Sequence, residues 1–149
     1  MGVLWAIAFV AFAADRLSKR WVASALIDGH LAVGALVWPT WNRGAWVGRP
    51  WPAWRLVALW ATAAAAAVAA VAVDGLLASP ATATALGATL GGAAGNLADR
   101  LRHGGVFDFL DLRLGGRMPG GGVCNLADFA IVGGLLVATA GELAARLLG

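Results

Sequence analysis

The 149-residue sequence predicts an all-α integral membrane protein, a single domain (1-149) built as a four-helix transmembrane bundle. Hydrophobic residues make up 60% of the chain and mean hydropathy is +0.77, both well above ordinary soluble domains. Charged residues are only 13% and cluster between long apolar runs, the distribution a bilayer imposes by excluding charge from its hydrocarbon core. Crossing a core of about 30 Å takes roughly 20 helical residues, and the chain has four segments of about that length.

The first runs from about Val3 to Ala25. Its opening stretch is short and apolar like a secretory signal peptide, but it has no basic leader and the helical pattern continues past Asp15, so it reads as an uncleaved span. The second, Leu56 to Val73, is apolar on every face and rich in alanine. The third begins at Pro80, a residue tolerated in a first helical turn, and continues to about Leu101. The fourth runs from about Asn125 to Leu148. Gly87, Gly91 and Gly95 recur every four residues in the third span, and Ala130, Gly134 and Ala138 do so in the fourth. Small residues at that spacing let membrane helices approach closely, which is expected to pack the polar end of the third helix against the fourth.

Two connections separate the spans. Ile27 to Pro52 alternates apolar residues such as Leu31, Val33, Leu36 and Val37 with Gly, Pro and Asn, and reads as a small β-rich surface element. Trp38, Trp41, Trp46, Trp51 and Trp54, five of the eight tryptophans, crowd the connection between the first and second spans, and indole rings favour the headgroup layer. Gly104 to Val123 reads as a loop, with few backbone constraints along its glycine-rich part, Gly115 to Gly122.

Four aspartates, Asp15, Asp99, Asp108 and Asp128, fall near the ends of apolar segments, where ionisable groups are costly to hold and mark function. Asp108 and Asp128 are the candidate catalytic pair, one shortly after the third span and the other in the first turn of the fourth, on the same side of the membrane. Two carboxylates brought together share a proton, so one can activate water while the other donates to the carbonyl or the leaving amine. Asn96 and Asn125 flank the pair and can bond a substrate backbone or orient a carboxylate without adding charge. Arg100 can hold substrate carbonyls or pair with Asp99 or Asp15. Asp15 and Lys19, four apart, share a helix face and read as an ion pair.

Other chemistries fit poorly. Lys19, the only lysine, has Ser18 as neighbour pointing about 100° away on a helix, which disfavours a Ser-Lys dyad. The lone Cys124 forms no internal disulfide, and two histidines without a paired-ligand motif give no zinc site. The basic residues are mostly single arginines near helix ends, suited to headgroups or ion pairs rather than nucleic acid. A proton-relay transporter is the rival class, but such a protein favours acids at midplane depth and an internal repeat, and none is seen here.

In order along the chain, Asp15-Arg16-Leu17-Ser18-Lys19, Asn42-Arg43-Gly44-Ala45, Gly95-Asn96-Leu97-Ala98-Asp99-Arg100, Val106-Phe107-Asp108-Phe109 and Asn125-Leu126-Ala127-Asp128 resemble the motifs of lipoprotein signal peptidases. The resemblance covers nearly the whole chain. It implies an aspartyl endopeptidase with Asp108 and Asp128 catalytic. Asp15, Lys19, Asn42, Gly95, Asn96, Asp99, Arg100, Asn125 and Ala127 would bind substrate or support the site. It further implies four helices with both termini cytoplasmic, an extracytoplasmic β-cradle and periplasmic loop, and a location in the bacterial inner membrane. The implied substrate is a diacylglyceryl-modified prolipoprotein cut immediately before its lipidated cysteine, with no metal or cofactor, membrane lipids around a monomer, and sensitivity to globomycin-type inhibitors. Cys124, Phe107 and Trp46-Val47 depart from the usual family residues, which bears on substrate fit more than on chemistry. In that orientation ten of the eleven Lys and Arg lie on or near the outer half, against the positive-inside rule.

Overall fold

A computed structural model describes residues 1–28, 36–44, 51–72, 79–112 and 122–148. His30, Leu31, Val33, Ala45, Trp46, Val47 and most of the glycine-rich stretch from Gly115 lie outside the described residues. The chain is mostly helical, with a small antiparallel sheet: α1 (Gly2–Ile27), β1 (Val37–Asn42), α2 (Ala53–Ala72), α3 (Pro80–His103), β2 (Val106–Asp111), β3 (Val123–Cys124) and α4 (Leu126–Leu148). The segment read from sequence as a connecting loop therefore begins with a strand.

Helix α3 is the centre of the fold, packing along α1 and α4 and touching α2. Ser79 caps its start, accepting a hydrogen bond from the Thr82 amide at 3.1 Å, with Pro80 next in line. Gly104 ends it in the left-handed region, φ 69°, a conformation that suits glycine at a helix end. The apolar core gathers Leu4 and Ala8 of α1, Ala64 and Ala67 of α2, and Ala83 and Leu90 of α3. Trp60 closes it, its indole N–H donating to the Leu90 carbonyl at 3.1 Å.

The ridge of Gly87, Gly91 and Gly95 faces α1, not α4. A Cβ at Gly87 would lie 2.5 Å from the Leu4 carbonyl oxygen, one at Gly91 would strike the Ala8 carbonyl, and one at Gly95 would strike the Asp15 carboxylate. Contact with α4 is made from another face: a Cβ at Gly92 would lie 2.6 Å from the Ala127 carbonyl oxygen, and one at Gly134 would meet Ala85 and Thr89. A four-residue repeat identifies a helix face but not the neighbour it meets, and α3 uses two adjacent faces for two neighbours.

Strand β2 is central, with sheet order β1-β2-β3. Thr40 stands opposite Asp108, Trp41 opposite Phe107 and Asn42 opposite Val106, and Cys124 faces Leu110. The β1 register is irregular between Val37 and Thr40, where Pro39 has no N–H to give the ladder. On one face, Phe107 packs between Trp41 and Phe109, with ring centroids 5.4 Å and 6.0 Å away. On the other, Val106 and Asp108 are buried toward the helices.

Among the described residues, Ala53–Ala70 is the one helical segment long and apolar enough to cross a membrane by length and composition, and Leu126–Gly141 is a shorter apolar stretch. In α1 the run is broken by Asp15, Arg16, Lys19 and Arg20; in α3 glycine, alanine and threonine take the place of larger apolar residues. The outward faces are nonetheless apolar. Phe9, Val10 and Leu17 of α1, Leu59 of α2, and Val132 and Leu136 of α4 are all exposed.

Candidate active site

The polar residues of the sequence strings meet where the middle of α1 (Asp15 to Lys19), the last turns of α3, the first turn of α4 and the face of β2 converge. Helix α4 starts with a reciprocal cap: the Asn125 amide donates to Asp128 Oδ2 at 3.0 Å and the Asp128 amide donates to Asn125 Oδ1 at 3.2 Å. The cap uses one carboxylate oxygen of Asp128. The other accepts from Asn96 Nδ2 of α3 at 2.9 Å.

Asp108 is 3% exposed, and both its oxygens are engaged. Asn125 Nδ2 donates to one at 2.6 Å and Asn42 Nδ2 to the other at 3.2 Å. Asn42 reaches it because it pairs with Val106, one diagonal step from Asp108 on the same sheet face. Asn125 also donates to Asn96 Oδ1 at 3.1 Å, so the two carboxylates are linked through two amides. Burial pushes the Asp108 carboxyl up to about 6; the hydrogen bond from Asn125 opposes the rise and the charge of Asp128 adds to it.

Behind the amides lies a buried ion cluster. Lys19 Nζ donates to Asn96 Oδ1 at 3.0 Å and stands 2.9 Å from Asp15 and 2.8 Å from Asp99. Asp99 also pairs with Arg16 and accepts from the Phe107 amide at 3.3 Å, which ties β2 to α3. Asp15 is fully buried and makes no well-aligned hydrogen bond among the described residues, so the Lys19 charge is what compensates it. Gly95 leaves the space that Asp15 fills, and Ala127, fully buried, puts its carbonyl against Gly92.

Arg100 pairs with neither Asp99 nor Asp15. It donates to the Gly44 carbonyl at 3.3 Å, while the Gly44 amide donates to Asn42 Oδ1 at 3.1 Å, so Arg100 secures the strand end that carries Asn42. A cleft of about 320 Å³ opens over these groups, lined by Asn42, Asn96, Arg100, Asp108, Cys124 and Asp128. It adjoins an apolar groove of about 420 Å³ along α4, past Phe129, Val132 and Leu136. The Cys124 thiol is pushed up to about 11, chiefly by burial, and so stays neutral at ordinary pH. Ser18 and Ser24 spend their hydroxyls on the α1 carbonyls of Asp15 and Trp21.

The cluster contains one residue that the sequence reading did not single out, Arg16. Its signal was present: Arg16 and Lys19 are three apart, on one face of α1, opposite an aspartate on the neighbouring helix.

Residues 7–143 match the family described as signal peptidase (SPase) II. The chain belongs to that family. The lipoprotein signal peptidase of Oleidesulfovibrio alaskensis is 34% identical over 151 residues, covering 93% of each chain. That of Syntrophomonas wolfei is 38% identical over 135 residues, covering 83% of this chain and 81% of its own. A solved bacterial membrane enzyme shares the fold with a TM-score of 0.74 at 21% identity, over 96% of this chain and 94% of that one. Signal peptidase II membership makes the chain a peptidase of the kind that processes prolipoprotein signal peptides, and the cleft over Asp108 and Asp128 is its candidate active site.

Proposed function

We propose that this protein is an intramembrane aspartyl endopeptidase that cleaves diacylglyceryl-modified prolipoproteins immediately before the lipidated cysteine, with Asp108 and Asp128 as its catalytic residues. The observation that carries this reading is the pair itself: two carboxylates on different elements line one cleft and are linked through Asn125 and Asn96. The four helices cross the bacterial inner membrane as a monomeric bundle, their exposed apolar faces toward lipid, and the cleft lies at the extracytoplasmic surface. The groove along α4 receives apolar parts of the substrate while the polar cleft holds the scissile peptide.

In this scheme Asp108 enters protonated, since burial favours its neutral form. Asp128 takes a proton from water as the water oxygen attacks the scissile carbonyl carbon, and Asp108 gives its proton to the carbonyl oxygen. The tetrahedral intermediate collapses when Asp128 passes its proton to the departing nitrogen and Asp108 recovers one from the hydroxyl. The C–N bond breaks, leaving a carboxylic acid on the signal peptide, which then loses its proton to water, and a free amine on the lipidated cysteine. No metal or organic cofactor enters this scheme. Arg100 and Lys19 act as positioning residues, the first through Gly44 and Asn42, the second through Asn96.

The test is cleavage of a diacylated prolipoprotein in liposomes. Asp108→Asn and Asp128→Asn should each lower turnover by roughly 10²- to 10⁴-fold with thermal stability largely retained. A globomycin-type cyclic peptide should inhibit the native chain. Near-native turnover in either folded variant removes that aspartate from the mechanism, and a native chain with no cleavage returns the proton-relay reading.

A further inference from the structure

A second groove, of about 550 Å³, runs between α1 and α3 and is lined by Phe9, Phe12 and Leu17 with Arg16, Arg20 and Arg102. Its residues are separate from those of the catalytic cleft and of the α4 groove. Along α1 the aromatic residues come first and the arginines follow, so one end is apolar and the other cationic. From Phe9 to Arg20 is 11 residues, about 16 Å of helix, enough to extend from a headgroup well into the hydrocarbon layer.

The charges at the cationic end do not balance within the protein. Arg16 pairs with Asp99, and Lys19 sits between Asp99 and Asp15, so two acids meet two bases. Arg20 and Arg102 are exposed and, among the described residues, have no carboxylate in ion-pair contact. Two uncompensated guanidinium groups beside a third, above an apolar channel, form a receptor for a phosphate attached to acyl chains. The diacylglyceryl group of the proposed substrate carries no charge and gives no reason for three arginines.

We infer that the α1/α3 groove binds one anionic glycerophospholipid, its phosphate held by Arg20 and Arg102 and an acyl chain laid along Phe9 and Phe12. This rests on the membrane placement proposed above but not on the peptidase chemistry. It also gives these outer-half arginines a partner other than the cytoplasmic leaflet. Because Arg16 touches both the groove and Asp99, the bound lipid lies one ion pair away from the cluster behind Asn96.

The experiment is native mass spectrometry of the full chain from nanodiscs containing equal phosphatidylglycerol and phosphatidylcholine of matched acyl chains. The native protein should retain phosphatidylglycerol over phosphatidylcholine by about tenfold, Arg20→Gln/Arg102→Gln should bring that ratio close to one, and Asp108→Asn should leave it unchanged. Inorganic phosphate at millimolar concentration should not displace the lipid. Equal retention of both lipids by the native chain, or an undiminished preference in the double variant, overturns the site. Displacement by phosphate alone overturns the lipid assignment in favour of a simple anion site. Loss of cleavage in Asp108→Asn with the lipid preference intact separates this site from the peptidase reading, and a native chain that cleaves nothing but keeps the preference leaves the lipid site standing.

Discussion

At the end of the bundle far from the cleft, the α1/α3 contact is Leu4 and Ala8 against Gly87 and Gly91, backbone laid on backbone with no polar side chain between them. One helical turn beyond Gly91 the same interface changes character. Gly95 faces the Asp15 carboxylate, and Lys19, Asp99, Arg16 and Asn96 follow. The first region is held by shape and dispersion, which in an apolar surrounding is what brings small-residue faces together. The second is held by charges that are stable only in company, since each buried ion depends on its partners. The lesson is a division of labour along one pair of helices: close packing fixes the helix spacing, and that spacing lets a buried lysine serve two acids and an amide at once.

Removing the centre of the charged region should give the largest effect. Lys19→Met leaves Asp15 and Asp99 buried with only Arg16 as counter-charge, and should cost about 3–5 kcal/mol of stability together with most of the cleavage activity. Adding Asp15→Leu should recover part of the stability by removing the uncompensated acid, without recovering cleavage, because Asn96 still lacks its donor. Thermal unfolding followed by tryptophan fluorescence and a cleavage assay read the two effects separately. A single variant as stable as the native protein would show that the cluster is not held by mutual charge.

Two glycines sharpen the contrast. Gly91→Ala pushes a methyl into the Ala8 carbonyl, so the helices must separate, and a loss of about 1–3 kcal/mol is expected with cleavage per folded molecule little changed. Gly95→Ala pushes against Asp15 instead and should lower cleavage more than its stability loss explains, since the displaced carboxylate is a partner of Lys19. Equal ratios of activity loss to stability loss in the two variants would mean that the regions are not distinct.

Much of this was legible in the sequence, and the exceptions have physical causes. The helices are visible because long apolar stretches leave few alternatives, and the polar strings are visible because charge is rare among them. The candidates Asp108, Asp128, Asn96 and Asn42 do line one cleft, with Asn125 fully buried behind it and bonded to Asp108. Strand β2 was hidden because it lies between two other strands with residues buried on both faces, so Val106 to Asp111 shows no clean alternation. The partner of the glycine ridge was hidden because periodicity carries no information about neighbours. That Arg100 would bond the Gly44 carbonyl depends on a contact across 56 residues, which no local pattern encodes.

The smallest effect expected is a titration. Asp108 has its carboxyl raised from 3.8 to about 6, mainly by burial, so between those values the native state holds a proton that the unfolded chain has already released. Native stability from this group is therefore greatest at the acid side of the window, falls as pH rises through it and levels off above about 6. Asp108→Asn has no such proton, and other titrating groups act nearly alike in both proteins. The difference in unfolding free energy, native minus variant, should accordingly decline from pH 4 to pH 6 and stay flat to pH 8, by an amount on the order of 1–3 kcal/mol at most. A constant difference across that range would mean that the hydrogen bonds to Asp108 fully offset its burial. A difference that rises with pH would mean that its hydrogen bonds from Asn125 and Asn42 outweigh its burial, which would take the acid role proposed for Asp108 away from it.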